Sequence, residues 1–152
     1  MFNPEEIRKL AKQRLIEAEI LYQNGQYDGA YYLAGYAVEL SLKAKICERL
    51  GLPNLFDETD GTTNAIKGIS EIRKTLKTHN LQILLIFCGL KPKFDKDKST
   101  NVSFAKINSL LFNGWNENAR YRPSGYISPK DIETLLTLLT STDNLILWIV
   151  QN

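Results

Sequence analysis

Apolar residues recur at intervals of three or four along most of the chain, which is the period of one face of an α-helix. Ile7, Leu10 and Ala18 begin this pattern. The preceding Asn3-Pro4-Glu5-Glu6 supplies an N-cap, a proline at the first helical position and an early glutamate. A first helix is therefore predicted from this cap to about Gln23.

A second helix is predicted from about Tyr27 to Leu50, where Gly51 and Pro53 end it. The break between the two helices is short, and helices joined in this way are antiparallel neighbours. Small residues recur in the second helix at spacings of four and three, and they leave a strip where another helix can approach closely: Ala30, Ala34, Ala37, Ser41 and Ala44.

The pattern beyond this hairpin is interrupted more often. Residues 52–78 are rich in loop-forming types, with the isoleucine spacing of a short helix in their second part. Thr78 is predicted to cap a further helix, and Lys91 to Thr100 to form a charged loop. A helix around Phe104 and Leu111 follows, and Ser128-Pro129 starts a last helix that is predicted to run to Ile149.

These elements predict an all-α fold, because no stretch shows the alternation typical of a strand. We expect one domain, residues 1–152, folded as an up-and-down bundle of four to five antiparallel helices. The composition, 43% hydrophobic and 24% charged, is typical of a packed globular protein. No run approaches the roughly 20 apolar residues of a membrane span, and no signal peptide follows Met1, so a cytoplasmic protein is expected.

Metal and cofactor sites are not predicted. Cys47, Cys88 and His79 are too few and too far apart for a closed zinc site, and the two cysteines are expected to be packed thiols. The chain has no glycine-rich phosphate loop and no nucleophile elbow. Because the formal net charge is only +2, any electropositive site must be local.

Two groups of polar residues on predicted helices are candidates for function. Glu39 and Lys43 lie one turn apart with Tyr36 nearby, and they form either an exposed ion pair or a partly buried polar seam. His79 and Asn80 are predicted in the first turn of a helix, whose free N–H groups can bind phosphate. The alternative is a capping and structural role for these residues.

A third group lies in the predicted loop from Trp115 to Pro123. Arg120 and Arg122 can grip a phosphate through two-pronged guanidinium groups, and Tyr121 offers a ring on which a base can stack. The alternative is that these side chains pack over the edge of the core and bond to backbone carbonyls. A binding role and a structural role explain the presence of these residues equally well.

Residues 25–44, GQYDGAYYLAGYAVELSLKA, resemble the signature hairpin of HEPN domains. His79 to Leu84 and Ala119-Arg120-Tyr121 are similar to later landmarks of the same family. The resemblance implies a helical bundle that usually dimerises and binds nucleotide or RNA. Some members are metal-independent ribonucleases of toxin-antitoxin and phage-defence systems, and others are partners of small nucleotidyltransferases.

The ribonuclease branch of the family carries an arginine and a histidine separated by four to six residues near the last core helix. Arg120 matches the arginine, but no histidine follows it. This departure favours a non-catalytic domain that binds nucleotide or RNA through His79, Asn80, Arg120, Tyr121 and Arg122, as a homodimer or beside a nucleotidyltransferase. One alternative is a ribonuclease that uses His79 and Arg120, and another is a structural dimerisation module.

Overall fold

The computed structural model describes residues 3–152, except for the side chain of Arg120. All regular structure in these residues is helical, which confirms the predicted all-α class. None of the described helices is long and apolar enough to cross a membrane. The helices in chain order are α1 Pro4–Gln23, α2 Tyr27–Leu50, α3 Gly61–Asn64, α4 Ile69–Leu76, α5 Leu81–Phe87, α6 Lys91–Thr100, α7 Val102–Ile107, a π-helix Asn108–Phe112, a 3₁₀-helix Glu117–Tyr121, α8 Pro129–Thr140 and α9 Leu145–Gln151.

The first two helices form the antiparallel hairpin that the sequence predicts. Asn3 caps α1, because its side-chain oxygen accepts the Glu6 backbone N–H at 3.0 Å. Gly25, at φ 75°, makes the tight connection, and Gly51, at φ 65°, ends α2 in the left-handed conformation that glycine adopts readily.

Helix α2 is the central element of the fold. Helices α1, α5, α8 and α9 pack against it, and so does the 3₁₀-helix. The predicted strip of small residues is buried along its whole length, which allows this close approach. A helix surrounded in this way has few positions where a polar side chain can reach water.

The second half of the chain is divided into more and shorter helices than its apolar pattern predicts. The prediction of a charged loop at Lys91–Thr100 is wrong, since these residues form α6. Pro92 lies in its first turn, where proline is tolerated, and Lys91 pairs with Asp95 one turn later. Phe94 anchors α6, because its ring packs against Phe104, Phe112 and Trp148.

The prediction of one unbroken last helix is also wrong. Residues 141–144 separate α8 from α9, and Asn144 caps α9 by accepting the Leu147 N–H at 2.7 Å. In the sequence the apolar spacing continues across this break, because Leu139 and Ile146 are seven residues, or two helical turns, apart. Periodicity alone therefore gave no sign of it.

Trp115 joins the second half of the chain to α2. Its indole lies directly over Gly35 and donates from Nε1 to the Tyr32 carbonyl at 3.1 Å. A β-carbon at Gly35 would lie 2.2 Å from the indole, so this contact requires glycine.

We expect Gly35→Ala to lower the free energy of unfolding by about 2 kcal/mol, because the added methyl group would displace the buried indole. Urea denaturation followed by circular dichroism measures the change.

Gly29→Ala is the matched control in the same helix. Its β-carbon would meet only the flexible end of Leu21, at 3.2 Å, and alanine favours a helix over glycine by roughly 1 kcal/mol. Equal destabilisation by the two variants would contradict the close packing of Trp115 on Gly35.

Candidate functional site

A buried carboxylate on α2 lies at the centre of the candidate site. Glu39 is 1% exposed, and its Oε1 accepts a hydrogen bond from Lys43 Nζ at 2.8 Å. Its Oε2 lies 2.8 Å from His79 Nδ1. Because a buried charge is costly unless it is paired, these two partners account for the position of the carboxylate. The polar seam and the only histidine, predicted as separate groups, form one cluster.

His79 precedes α5 and does not lie in its first turn as predicted. Thr78 is not the cap either: Asn80 caps α5, and its Oδ1 accepts the N–H groups of Gln82 and Ile83. The Thr78 hydroxyl instead accepts the Asn80 N–H at 3.1 Å. The Asn80 side-chain oxygen is therefore occupied by the helix end.

The His79 ring is oriented by Glu39 and still reaches solvent. Its side chain is 45% exposed. A hydrogen bond to a carboxylate places a proton on Nδ1 and leaves Nε2 for another partner. Nε2 has no hydrogen-bond partner among the residues that the structure describes. The imidazole can thus accept a proton or, when protonated, donate one to a phosphate oxygen.

A groove of about 460 Å³ runs beside this cluster, between the α1–α2 hairpin and the segment after it. Its apolar lining includes Ile7, Leu10, Leu40 and Phe56, and Lys43 Nζ lies 5.7 Å from the Phe56 ring centroid. A cavity of this size and character can enclose a nucleobase.

The rim of the groove carries both signs of charge. Lys77 pairs with Glu58, and this ion pair lowers the pKa of the Glu58 carboxyl. Hydrogen bonds from Thr59 lower the pKa of the neighbouring Asp57 carboxyl, with the larger effect from the Thr59 hydroxyl and the smaller from its backbone N–H. Because carboxylates surround the lysines, the groove suits an uncharged planar group better than a phosphate.

An aromatic row connects the buried carboxylate to the loop after the π-helix. The rings of Tyr32 and Tyr36 are stacked with centroids 6.5 Å apart, and Tyr32 lies 5.9 Å from Trp115. Burial raises the pKa of Tyr36, and the charge of Glu39 raises it further. The tyrosine hydroxyl therefore stays protonated at neutral pH.

Residues of the α2 amino-terminal half hold this loop in place. The Asp28 carboxylate accepts the N–H groups of Gly125 and Ile127, at 2.8 and 3.2 Å. The Tyr31 hydroxyl donates to the Leu110 carbonyl in the π-helix at 2.6 Å. Neither anchor was predicted from the sequence, although Asp28 and Tyr31 lie within the HEPN-like signature.

The loop residues predicted to bind phosphate have different surroundings. Arg122 donates from Nη2 to the Gly114 carbonyl at 2.9 Å and stacks over the Tyr126 ring at 4.3 Å. Tyr121 is 73% exposed. The side chain of Arg120 lies outside the described residues, although its backbone belongs to the 3₁₀-helix. The structure thus gives Arg122 a structural role, and phosphate binding by this loop stays a prediction.

Both cysteines are free and buried in the core. Burial raises the pKa of the Cys47 thiol to about 11 and also raises that of Cys88. In the part of the chain that the structure describes, no group of three or more His, Cys, Asp or Glu side chains could hold a metal ion.

Residues 4–55 match the family model of the HEPN domain. The matched segment covers α1 and α2 and ends in the loop that follows, so it contains Glu39 and Lys43 but not His79 or Arg120. Together with the all-α architecture, the match supports the HEPN family. Neither the curated proteins nor the solved structures gave a match to the chain.

We expect Arg122→Ala to lower the free energy of unfolding by about 1–2 kcal/mol, because it removes a bond to a backbone carbonyl and the stacking on Tyr126. Chemical denaturation of this variant and of Lys130→Ala, a control at an exposed cation on α8, measures the effect. Unchanged stability of Arg122→Ala would mean that the guanidinium is free to serve a ligand.

Proposed function

We propose that the chain is a non-catalytic HEPN-like domain that binds nucleotide or RNA. The observation that carries this proposal is the half-exposed His79 ring, which is held by buried Glu39, a carboxylate that lines the apolar groove together with Tyr36 of the aromatic row. Surfaces that combine a positioned hydrogen-bond donor with accessible rings suit single-stranded nucleic acid.

The two halves of a nucleotide would contact different parts of this surface. A base fits the apolar groove, whose lysines are already paired with carboxylates. A phosphate is better served by His79 and by the loop of Arg120, Tyr121 and Arg122, outside the acidic rim. Of these, Arg122 would contribute mainly by holding the loop, since its guanidinium is engaged, and Asn80 by shaping the start of α5.

The absence of a histidine after Arg120 supports binding without cleavage. We further propose a cytoplasmic protein, one domain over its whole length, that acts as a homodimer or as the helical partner of a small nucleotidyltransferase. The resemblance of residues 25–44 supports this part of the proposal. A small nucleotidyltransferase encoded in the adjacent reading frame would favour the partner arrangement over the homodimer.

His79→Ala is expected to weaken RNA binding by about tenfold, because the loss of one positioned, charge-assisted contact costs roughly 1.5 kcal/mol. Fluorescence anisotropy with a labelled single-stranded RNA, in buffer containing a metal chelator, measures the dissociation constants.

Lys130→Ala, which removes an exposed cation from α8, is the control and should bind within about twofold of wild type. The proposal fails if the wild-type chain binds no RNA or mononucleotide. If His79→Ala binds RNA as tightly as the wild type, the proposal that His79 is part of the binding site is wrong.

A metal-independent ribonuclease is the second candidate function, and the Glu39–His79 pair specifically favours it. A carboxylate that fixes the imidazole is the arrangement in which Nε2 acts as a general base. It would take the proton of a ribose 2′-hydroxyl, whose oxygen attacks the adjacent phosphorus. The bond from phosphorus to the 5′-oxygen then breaks, the leaving 5′-oxygen takes a proton from water, and a 2′,3′-cyclic phosphate remains.

Incubation of RNA with the protein in chelator distinguishes the two functions. The binding function predicts intact RNA. Products that end in cyclic phosphate, formed by wild type and absent with folded His79→Ala, would instead establish the ribonuclease.

A further inference from the structure

One face of α1 exposes apolar side chains to solvent. Ile16 is 42% exposed and Ile20 is 52% exposed. Beside them, a groove of about 450 Å³ separates α1 from α8 and α9, and Val150 of α9 lines it at 41% exposure. Neighbouring apolar side chains left exposed in this way are typical of an interaction surface.

The charged residues of α1 fall into two classes. Most are paired within the chain: Glu5 with Lys9, Arg8 with Glu48, and Arg14 with Glu17. Lys12 and Glu19 have no ion-pair partner among the described residues, although they carry opposite charges. A spacing of seven residues, two helical turns, puts them on one line along the helix, with Ile16 between them.

This arrangement is complementary to itself. Two copies of α1 can lie antiparallel about a two-fold axis that passes between Leu15 and Ile16. A residue before the axis in one copy then faces the residue that lies equally far after the axis in the other copy. Lys12 then faces Glu19 of the partner subunit, and Glu19 faces the partner subunit's Lys12. The exposed isoleucines lie beside both ion pairs.

We propose that the α1 face of Lys12, Ile16, Glu19 and Ile20 is the contact between two copies of this chain. The inference rests on the homodimer proposed above and names its surface. At 100° per residue, Ile7 and Leu10, which line the groove beside Glu39, project from the opposite side of α1. Such a dimer leaves the groove and His79 accessible.

Light scattering during size-exclusion chromatography of the full chain, over a range of concentrations, tests the proposal. The wild type is expected to be dimeric, and Ile16→Glu to raise the dimer dissociation constant at least tenfold. Ile86→Glu is the matched control, because Ile86 is an isoleucine on α5 that is 57% exposed. Its dissociation constant should stay at the wild-type value.

A charge exchange provides a second test that does not depend on the apolar contact. Lys12→Glu and Glu19→Lys should each weaken the dimer by about tenfold, since each replaces two attractions with two repulsions. The double variant should recover the wild-type dissociation constant.

The outcomes separate failure of the dimer from failure of the surface. A monomeric wild type overturns the homodimer itself and leaves RNA binding to be judged by the His79 variant. A dimer that Ile16→Glu does not weaken, or single charge variants that the double variant does not rescue, overturns the α1 face.

Discussion

The burial of helix α2 on most of its surface is the constraint on which the rest of the structure depends. Four α-helices and the 3₁₀-helix pack against it, and alanine, serine and glycine at the contacts let them approach closely. Gly35 shows how strict this requirement is, because the Trp115 indole occupies the space of a β-carbon. A polar group on such a helix must find its partner within the protein.

Glu39 is the residue where this constraint produces a candidate site. Its carboxylate is satisfied by Lys43 on the same helix and by His79 from the segment before α5. The buried acid therefore determines where the histidine ring lies and which nitrogen faces solvent. The same helix anchors the loop of Arg120 through Asp28, Tyr31 and Gly35, so both parts of the proposed binding surface are positioned by α2.

Local features of the sequence were enough to predict the hairpin, because caps, breaks and apolar period agree from Asn3 to Gly51. They were not enough for α6, where a single buried aromatic, Phe94, supports an otherwise charged helix. The Glu39–His79 contact could not be predicted either. It joins residues 40 positions apart, and neither residue carries a local sign of the other.

The central claim is that nucleotide or RNA binds at the surface around Glu39 and His79. Amide correlation spectra of nitrogen-15-labelled protein, recorded during titration with a short single-stranded RNA, test it most directly. The claim predicts that the largest shifts fall on residues 32–43, on His79 and on the loop 116–122. Spectra that do not change, or shifts confined to the opposite side of α1 around Ile16, would contradict it.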